Sequence, residues 1–345
     1  MKKRSLGLFA TAGILLTLAL ALALAGCGNK TVESDKESSA KPKEEQTLTV
    51  YSAGPDGLAA NIQQAFEEKT GIKVEMFQGT TGKILSRLEA EKNNPVADVV
   101  VLASVASMDG LKETDQLQSY KEAANAKKIN SDWSDAKGYY YGYSASALGI
   151  AYNTKNTQQA PAEWTDLAKA EWQNKINIPD PSLSGSAVDF LYGYTEAEKM
   201  AWATMEKWKE NGLQVNGANK EALDAVITGD KNATISGVDY MAYKAKADGE
   251  PVEIVYPKSG TVVSPRAVGI LKDAKNVDSA KAYVDFLLSD EGQKLVANAY
   301  LLPGNKDIPV KDRAALDEIP QLNVDWKGAE AKQLEVLTKF NGIFR

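Results

Sequence analysis

Ala97-Asp98-Val99-Val100-Val101-Leu102 is almost continuously apolar. That is the pattern of a parallel strand buried on both faces, whereas a half-exposed strand would alternate. Two strands precede it, Thr47–Ser52 (TLTVYS) and Ile72–Phe77 (IKVEMF). Between them Gly54-Pro55 turns into a helix, with Asp56 the expected N-cap, that runs to about Lys69 on an apolar face of Leu58, Ile62 and Phe66. Gly71 ends it. Gly79-Thr80-Thr81-Gly82 then turns into a second helix with Ile84, Leu85 and Leu88 on one face. A β-α-β-α-β order predicts a parallel sheet covered by helices. Such sheets bind ligands at the carboxyl ends of their strands. Those ends are Ser52-Ala53-Gly54, Gly79-Thr80-Thr81 and Ala103-Ser104, all small or hydroxylic.

A second α/β unit follows. The tyrosine-rich Tyr139–Tyr143 leads through Ser144-Ala145-Ser146 into a strand at Leu148–Tyr152. Lys175–Ile178 is a strand that enters the loop Pro179–Ala187 and an aromatic helix, Val188–Tyr194. Helices are expected near 196–211, 218–228 and 239–247, and strands near 213–215, 233–236, 252–256 and 267–271. A helical pair at 277–300 and a C-terminal helix and tail at 319–344 complete the chain. The fold class is therefore α/β with two lobes. The first lobe is expected over 47–147 with 264–305 returning to it, the second over 148–263, and a C-terminal helical segment over 306–345. The chain crosses near 144–150 and returns near 261–267, where Ser259–Arg266 breaks the pattern. Two crossing strands make a hinge, and the cleft between lobes is a common ligand site.

Composition removes much chemistry. The 345 residues hold one Cys and no His, which excludes a Ser-His-Asp triad, a Cys-His pair, the usual zinc motifs and an internal disulfide. No cofactor is implied. A pI near 5.1 argues against nucleic acid as a partner. Lys2, Lys3 and Arg4 precede an uncharged, mostly apolar run from Leu6 to Ala25 that ends at Leu24-Ala25-Gly26-Cys27, the pattern of a secretory signal over 1–26. Residues 1–26 hold three of the 40 Lys+Arg and none of the 46 Asp+Glu, so the chain from Cys27 onward carries −9 rather than −6. The stretch 27–46 has too few apolar side chains to offset its ordering entropy and reads as a disordered tether.

The ending Leu24-Ala25-Gly26-Cys27 resembles the bacterial lipobox, which implies lipidation at Cys27 and a place at the outer face of the cell membrane, periplasmic in a Gram-negative cell. The body resembles the solute-binding lipoproteins of ABC importers, in the branch that holds ferric-iron, thiamine, phosphonate and sugar-phosphate binders. The stretches that carry this are Val50-Tyr51-Ser52-Ala53-Gly54, Phe66–Ile72, Asn94–Val99, Gly149–Thr154, Asp180-Pro181 with Ser184-Gly185-Ser186-Ala187, Tyr256–Thr261 and Ala282–Gln293. The resemblance implies a periplasmic-binding-protein fold, type II-like, with a two-strand hinge. It also implies a non-enzymatic receptor that closes on a small ligand and docks on a permease, commonly as a monomer.

Two ligand classes compete. Iron-binding members ligate Fe(III) with adjacent tyrosines; here Tyr240 matches one, Met241 stands in place of the second, and Tyr243 lies three residues on. A thioether is a poor ligand for so hard an ion. An oxyanion suits the chain better, because Ser184-Gly185-Ser186 opens a helix whose free N–H groups and dipole favour phosphate or phosphonate. Expected contacts are Ser52, Thr80, Thr81 and Ser104 from the first lobe and Ser184, Gly185, Ser186, Asp239 and Tyr240 from the second. Asp239 would meet the amine of a ligand resembling 2-aminoethylphosphonate, and Arg266 is either a bidentate anion contact or a structural cation. The plainer reading of each Ser and Thr is an N-cap. A carboxylate-type hydrolase would need two carboxyls facing across a cleft, and no pair stands out.

Overall fold

The computed structural model describes residues 46–326 and 328–345. The expected signal, Cys27 and nearly all of the tether lie outside them. In chain order the strands are β1 Thr47–Ser52, β2 Lys73–Gln78, β3 Val99–Leu102, β4 Leu117–Gln118, β5 Tyr140–Asn153, β6 Ile176–Pro179, β7 Gln214–Asn216, β8 Ala233–Val238, β9 Val252–Val255, β10 Val262–Leu271 and β11 Leu302–Pro303. The α-helices are α1 Asp56–Thr70, α2 Thr81–Glu91, α3 Val105–Glu113, α4 Gly185–Ala197, α5 Ala201–Glu210, α6 Asn219–Thr228, α7 Asp239–Ala247, α8 Val277–Leu288, α9 Asp290–Asn298 and α10 Ala329–Phe344.

β1 pairs in parallel with β2 and β3, as the opening run predicts. Successive residues of β3 explain its unbroken apolarity. Val99 and Val101 enter a core with Leu58, Ile62 and Phe66 of α1 and Tyr283 and Phe286 of α8. Val100 and Leu102 enter a second core on the other face with Ile84, Met108 and Leu111. Each face is thus covered by helices. Asp56 is not the N-cap of α1; Pro55 holds that place without a side-chain bond, and Asp56 is the first helical residue.

The sheet is mixed, not parallel throughout. β10 lies antiparallel to β3 on one side and to β5 on the other. β5 is one 14-residue strand from the tyrosine-rich segment to Asn153, and β10 absorbs most of the stretch read as a break. The two pair from Val262↔Leu148 to Gly269↔Tyr140, with a register shift between Arg266 and Ala267. One end of this ladder joins β3, and the other joins β8, which pairs with β6. It is the two-strand hinge between lobes. The second lobe's core holds Ile150, Ile176, Ile178 and Ile235 with Phe190, Tyr194, Trp164 and Trp208. α10 adds Phe340 to that core.

Candidate ligand-binding cleft

A cavity of about 650 Å³ lies between the lobes. Its lining comes largely from helix starts: Pro55 and Asp56 at α1, Thr80, Thr81 and Lys83 at α2, Ser184, Gly185 and Ser186 at α4, Ala218, Asn219 and Lys220 at α6, and Tyr240 and Met241 at α7. Arg266 from the hinge completes it. The first amides of a helix have no intrahelical acceptor, and the helix dipole puts partial positive charge there. The starts of α1, α2 and α4 bring such ends from both lobes, while α6 and α7 face the cavity along their sides down to Ile227 and Asp248; Lys83, Lys220, Lys244 and Arg266 line it together with the carboxylates Asp56, Asp224 and Asp248.

The cap residues set the donors. Thr80 Oγ1 accepts from the Lys83 amide at 3.3 Å, and Thr81 Oγ1 accepts from the Ala103 amide at 3.2 Å. Ser184 Oγ accepts from the Ala187 amide at 3.1 Å and donates to Asn219 Oδ1 at 2.8 Å. Asn219 Nδ2 donates to Ser186 Oγ at 3.0 Å. The Ser184 proton is committed to Asn219, so Ser186 is the donor in the 3.1 Å bond between the two serine hydroxyls, and its proton must leave Ser184 to serve a ligand. Asn219 was not expected as a site residue; its only signal was a place at the start of a helix.

Three of the nine expected contacts, and the alternative iron ligand Tyr243, point elsewhere. Ser52 is buried outside the cavity lining, and its Oγ accepts from the Gly54 amide at 3.1 Å, closing the turn after β1. Ser104 caps α3 and donates to Asp189 Oδ1 at 2.7 Å. Asp239 does not face the cavity. Its Oδ2 accepts from Arg313 Nη2 at 2.7 Å and from Tyr256 Oη at 3.0 Å, and its Oδ1 accepts from the Tyr240 amide at 2.7 Å. It is neutralised in place and cannot also serve a ligand's amine. Tyr243 leaves the cavity too, with its Oη 3.2 Å from Tyr256 Oη and accepting from the Ala314 amide at 3.2 Å. Tyr240 and Tyr243 therefore do not converge as an iron-ligating pair.

Tyr240 does line the cavity. Burial raises its pKa, opposed by the nearby Arg266 charge, so the phenol is a donor at neutral pH. Among the described residues no group of three or more His, Cys, Asp or Glu could hold a metal ion.

Asp189 of α4 ties the lobes together behind the cavity. It is buried and accepts from Ser104 of the first lobe, from Ser264 of β10 at 2.6 Å and from Gln333 of α10 at 2.9 Å. Burial lifts its pKa to about 6, against the pull of those three donors.

The lobes also touch at α2. A methyl group at Gly82 would lie 2.8 Å from the Ser182 carbonyl oxygen, and one at Gly185 would lie 2.9 Å from Thr81 Oγ1. The first is a contact with backbone, which cannot rotate away. Gly82→Ala is expected to weaken ligand binding about tenfold, since overpacking costs ~1–3 kcal/mol. Calorimetry checks this, and unchanged affinity would show that the contact plays no part in closure.

The fold and the cleft define a two-lobed periplasmic binding protein. The bacterial extracellular solute-binding protein family matches residues 94–332, and this chain belongs to it. The chain is 26% identical, over 84% of its length and 90% of the relative's, to a periplasmic protein of Salmonella paratyphi A named for 2-aminoethylphosphonate binding. It is 24% identical, over 91% of both chains, to iron uptake protein A1 of Synechocystis sp.. Among solved structures, the periplasmic binding protein AfuA of Actinobacillus pleuropneumoniae, with fructose-6-phosphate bound, superposes with a TM-score of 0.79 at 24% identity, covering 88% of this chain and 99% of that one. That likeness shows the fold.

Proposed function

We propose that this chain is the receptor lipoprotein of an ABC importer for a small solute bearing a phosphonate or phosphate-ester group. The observation that carries the reading is the convergence of the starts of α1, α2 and α4, from both lobes, with Arg266 of the hinge on one cavity. A ligand that touches both lobes stabilises the closed state over the open one, and that difference is what a permease can read. The receptor needs no catalytic group and acts as a monomer. The lobes run over 47–147 with 264–305 and over 148–263, a division supported by β5 and β10 passing between the two cores. Cys27 carries the lipid that holds the receptor at the outer face of the membrane. A Cys27→Ala chain that stays membrane-bound and normally processed would remove that part.

The test is a thermal-shift screen of the purified protein against 2-aminoethylphosphonate, fructose 6-phosphate, thiamine and ferric salts. A solute that binds only the native state at a hundred times its Kd adds about 2.7 kcal/mol and raises the melting temperature. No shift with any phosphonate or phosphate ester would sink the reading. A ferric receptor is the second reading, supported by Tyr240 in the lining and by the iron-uptake relative. Visible tyrosinate-to-iron colour on adding ferric salt would favour it.

A further inference from the structure

The described residues contain two arginines buried to a similar degree, and their surroundings differ. Arg313 is fully paired: Nη2 donates to Asp239, Nη1 to the Tyr300 carbonyl at 2.6 Å and Nε to the Ala314 carbonyl at 2.9 Å. Arg266 is 3% exposed and makes no ion pair within 4.0 Å. Its Nη1 donates to the neutral hydroxyl of Ser146, and its guanidinium lies 5.1 Å from the centre of the Tyr240 ring. Its Nε is buried and has no hydrogen-bond partner. The buried carboxylate that it senses, Asp189, spends its oxygens on Ser104, Ser264 and Gln333.

A buried charge with no direct ion pair, whose nearby carboxylate is already shared among three other donors, is only partly neutralised, and such a charge is retained where something else completes the neutralisation. Arg266 lines the cavity, so the neutralising group can come from the ligand. It also stands at the register shift of the hinge ladder, where β5, β10 and, through Tyr240, the second lobe meet. We propose that Arg266 is the specificity-determining cation of the cleft, meeting a doubly charged phosphoryl or phosphonyl group with the side of its guanidinium that lines the cavity and discriminating against a singly charged carboxylate. This rests on the reading of the cleft as an oxyanion site. It adds the residue that matches the ligand's charge, which helix ends alone do not supply in full. A planar guanidinium also offers parallel N–H bonds to two oxygens of one group, which an ammonium does not.

The experiment uses the wild-type protein, Arg266→Gln and Arg266→Lys. Melting is measured without added solute. Affinities are measured by calorimetry for 2-aminoethylphosphonate, fructose 6-phosphate and inorganic phosphate, with β-alanine as the carboxylate counterpart of the phosphonate. In the absence of solute, Arg266→Gln is expected to melt at or above the wild-type temperature, since it removes an unpaired buried charge. Its affinity for the phosphoryl probe that the wild type binds best is expected to fall on the order of a hundredfold. The preference for phosphonate over β-alanine should collapse with it. Arg266→Lys keeps the charge and loses the fork, so an intermediate loss is expected. Arg266→Gln binding within threefold of the wild type would overturn the assignment and leave the oxyanion reading standing. An Arg266→Gln protein that melts well below the wild type, or unfolds, would overturn it as well, by making the cation structural. A wild-type protein that binds none of the probes would remove both.

Discussion

Arg313→Met is expected to lower the stability of the folded chain by about 3–5 kcal/mol, the cost of removing one partner from a buried ion pair. Both side chains of the Arg313–Asp239 pair are fully buried, 2.7 Å apart. Methionine fills much of the volume but leaves the Asp239 carboxylate with only Tyr256 and the Tyr240 amide as donors. Burial, reinforced by the Asp239 charge, raises the Tyr256 pKa, so that phenol remains a donor and cannot supply charge. The two carbonyls that Arg313 served, Tyr300 and Ala314, also lose their bonds. Urea denaturation should show a lower midpoint with an unchanged slope. The double variant Arg313→Met, Asp239→Leu should recover most of the loss, because what destabilises is the orphaned charge and not the missing attraction. A single variant within 1 kcal/mol of the wild type would show that water reaches the pair.

Much of the fold was legible because it depends on local patterns. The unbroken apolarity of Val99–Leu102 marked a strand with a core on each face, and Gly71 marked the end of α1 by its left-handed φ of 74°. The bounds of β1 and α7 emerge as read. What was not legible depended on partners distant in sequence. Pro265 and Gly260 made 259–266 look like a break, yet most of it is strand. Pro265 is tolerated because it lies beside the register shift at Arg266/Ala267, where a ladder bond is already lost. The cleft divides in the same way. Thr80, Thr81 and Ser184–Ser186 line the cavity, and they could be picked out because a helix start is visible locally. Ser104 and Asp239 went elsewhere because Asp189 lies 85 residues from the one and Arg313 lies 74 from the other. A hydroxyl or carboxylate at a helix start is a donor or acceptor in any sequence; which group claims it is decided by packing.

Ser186→Asp is expected to cost on the order of a thousandfold in affinity for a phosphonate or phosphate ester while the fold persists. Ser186 is the second residue of α4, and its Oγ accepts from Asn219 Nδ2 while lying 3.1 Å from Ser184 Oγ. A carboxylate there meets what an anion seeks: free amides, the positive end of the helix and the Asn219 amide group. The position is 1% exposed, so the cost of burying the charge is set against the helix dipole and the Asn219 donor, and a modest loss of stability with the fold intact is expected. The same favourable environment makes the side chain an internal competitor. It occupies the donors and places a negative charge beside the incoming one. Two unit charges about 4 Å apart repel by about 4 kcal/mol at the effective dielectric of a protein surface, close to three powers of ten in Kd. Ser186→Asn separates charge from bulk, since it has nearly the same size and no charge. It should therefore lose far less than the aspartate. Calorimetry on the three proteins decides. If Asp and Asn weaken binding equally, crowding explains the effect and the anion reading of the α4 start loses its support. If Asp binds within tenfold of the wild type, the ligand's charged group lies elsewhere in the cleft.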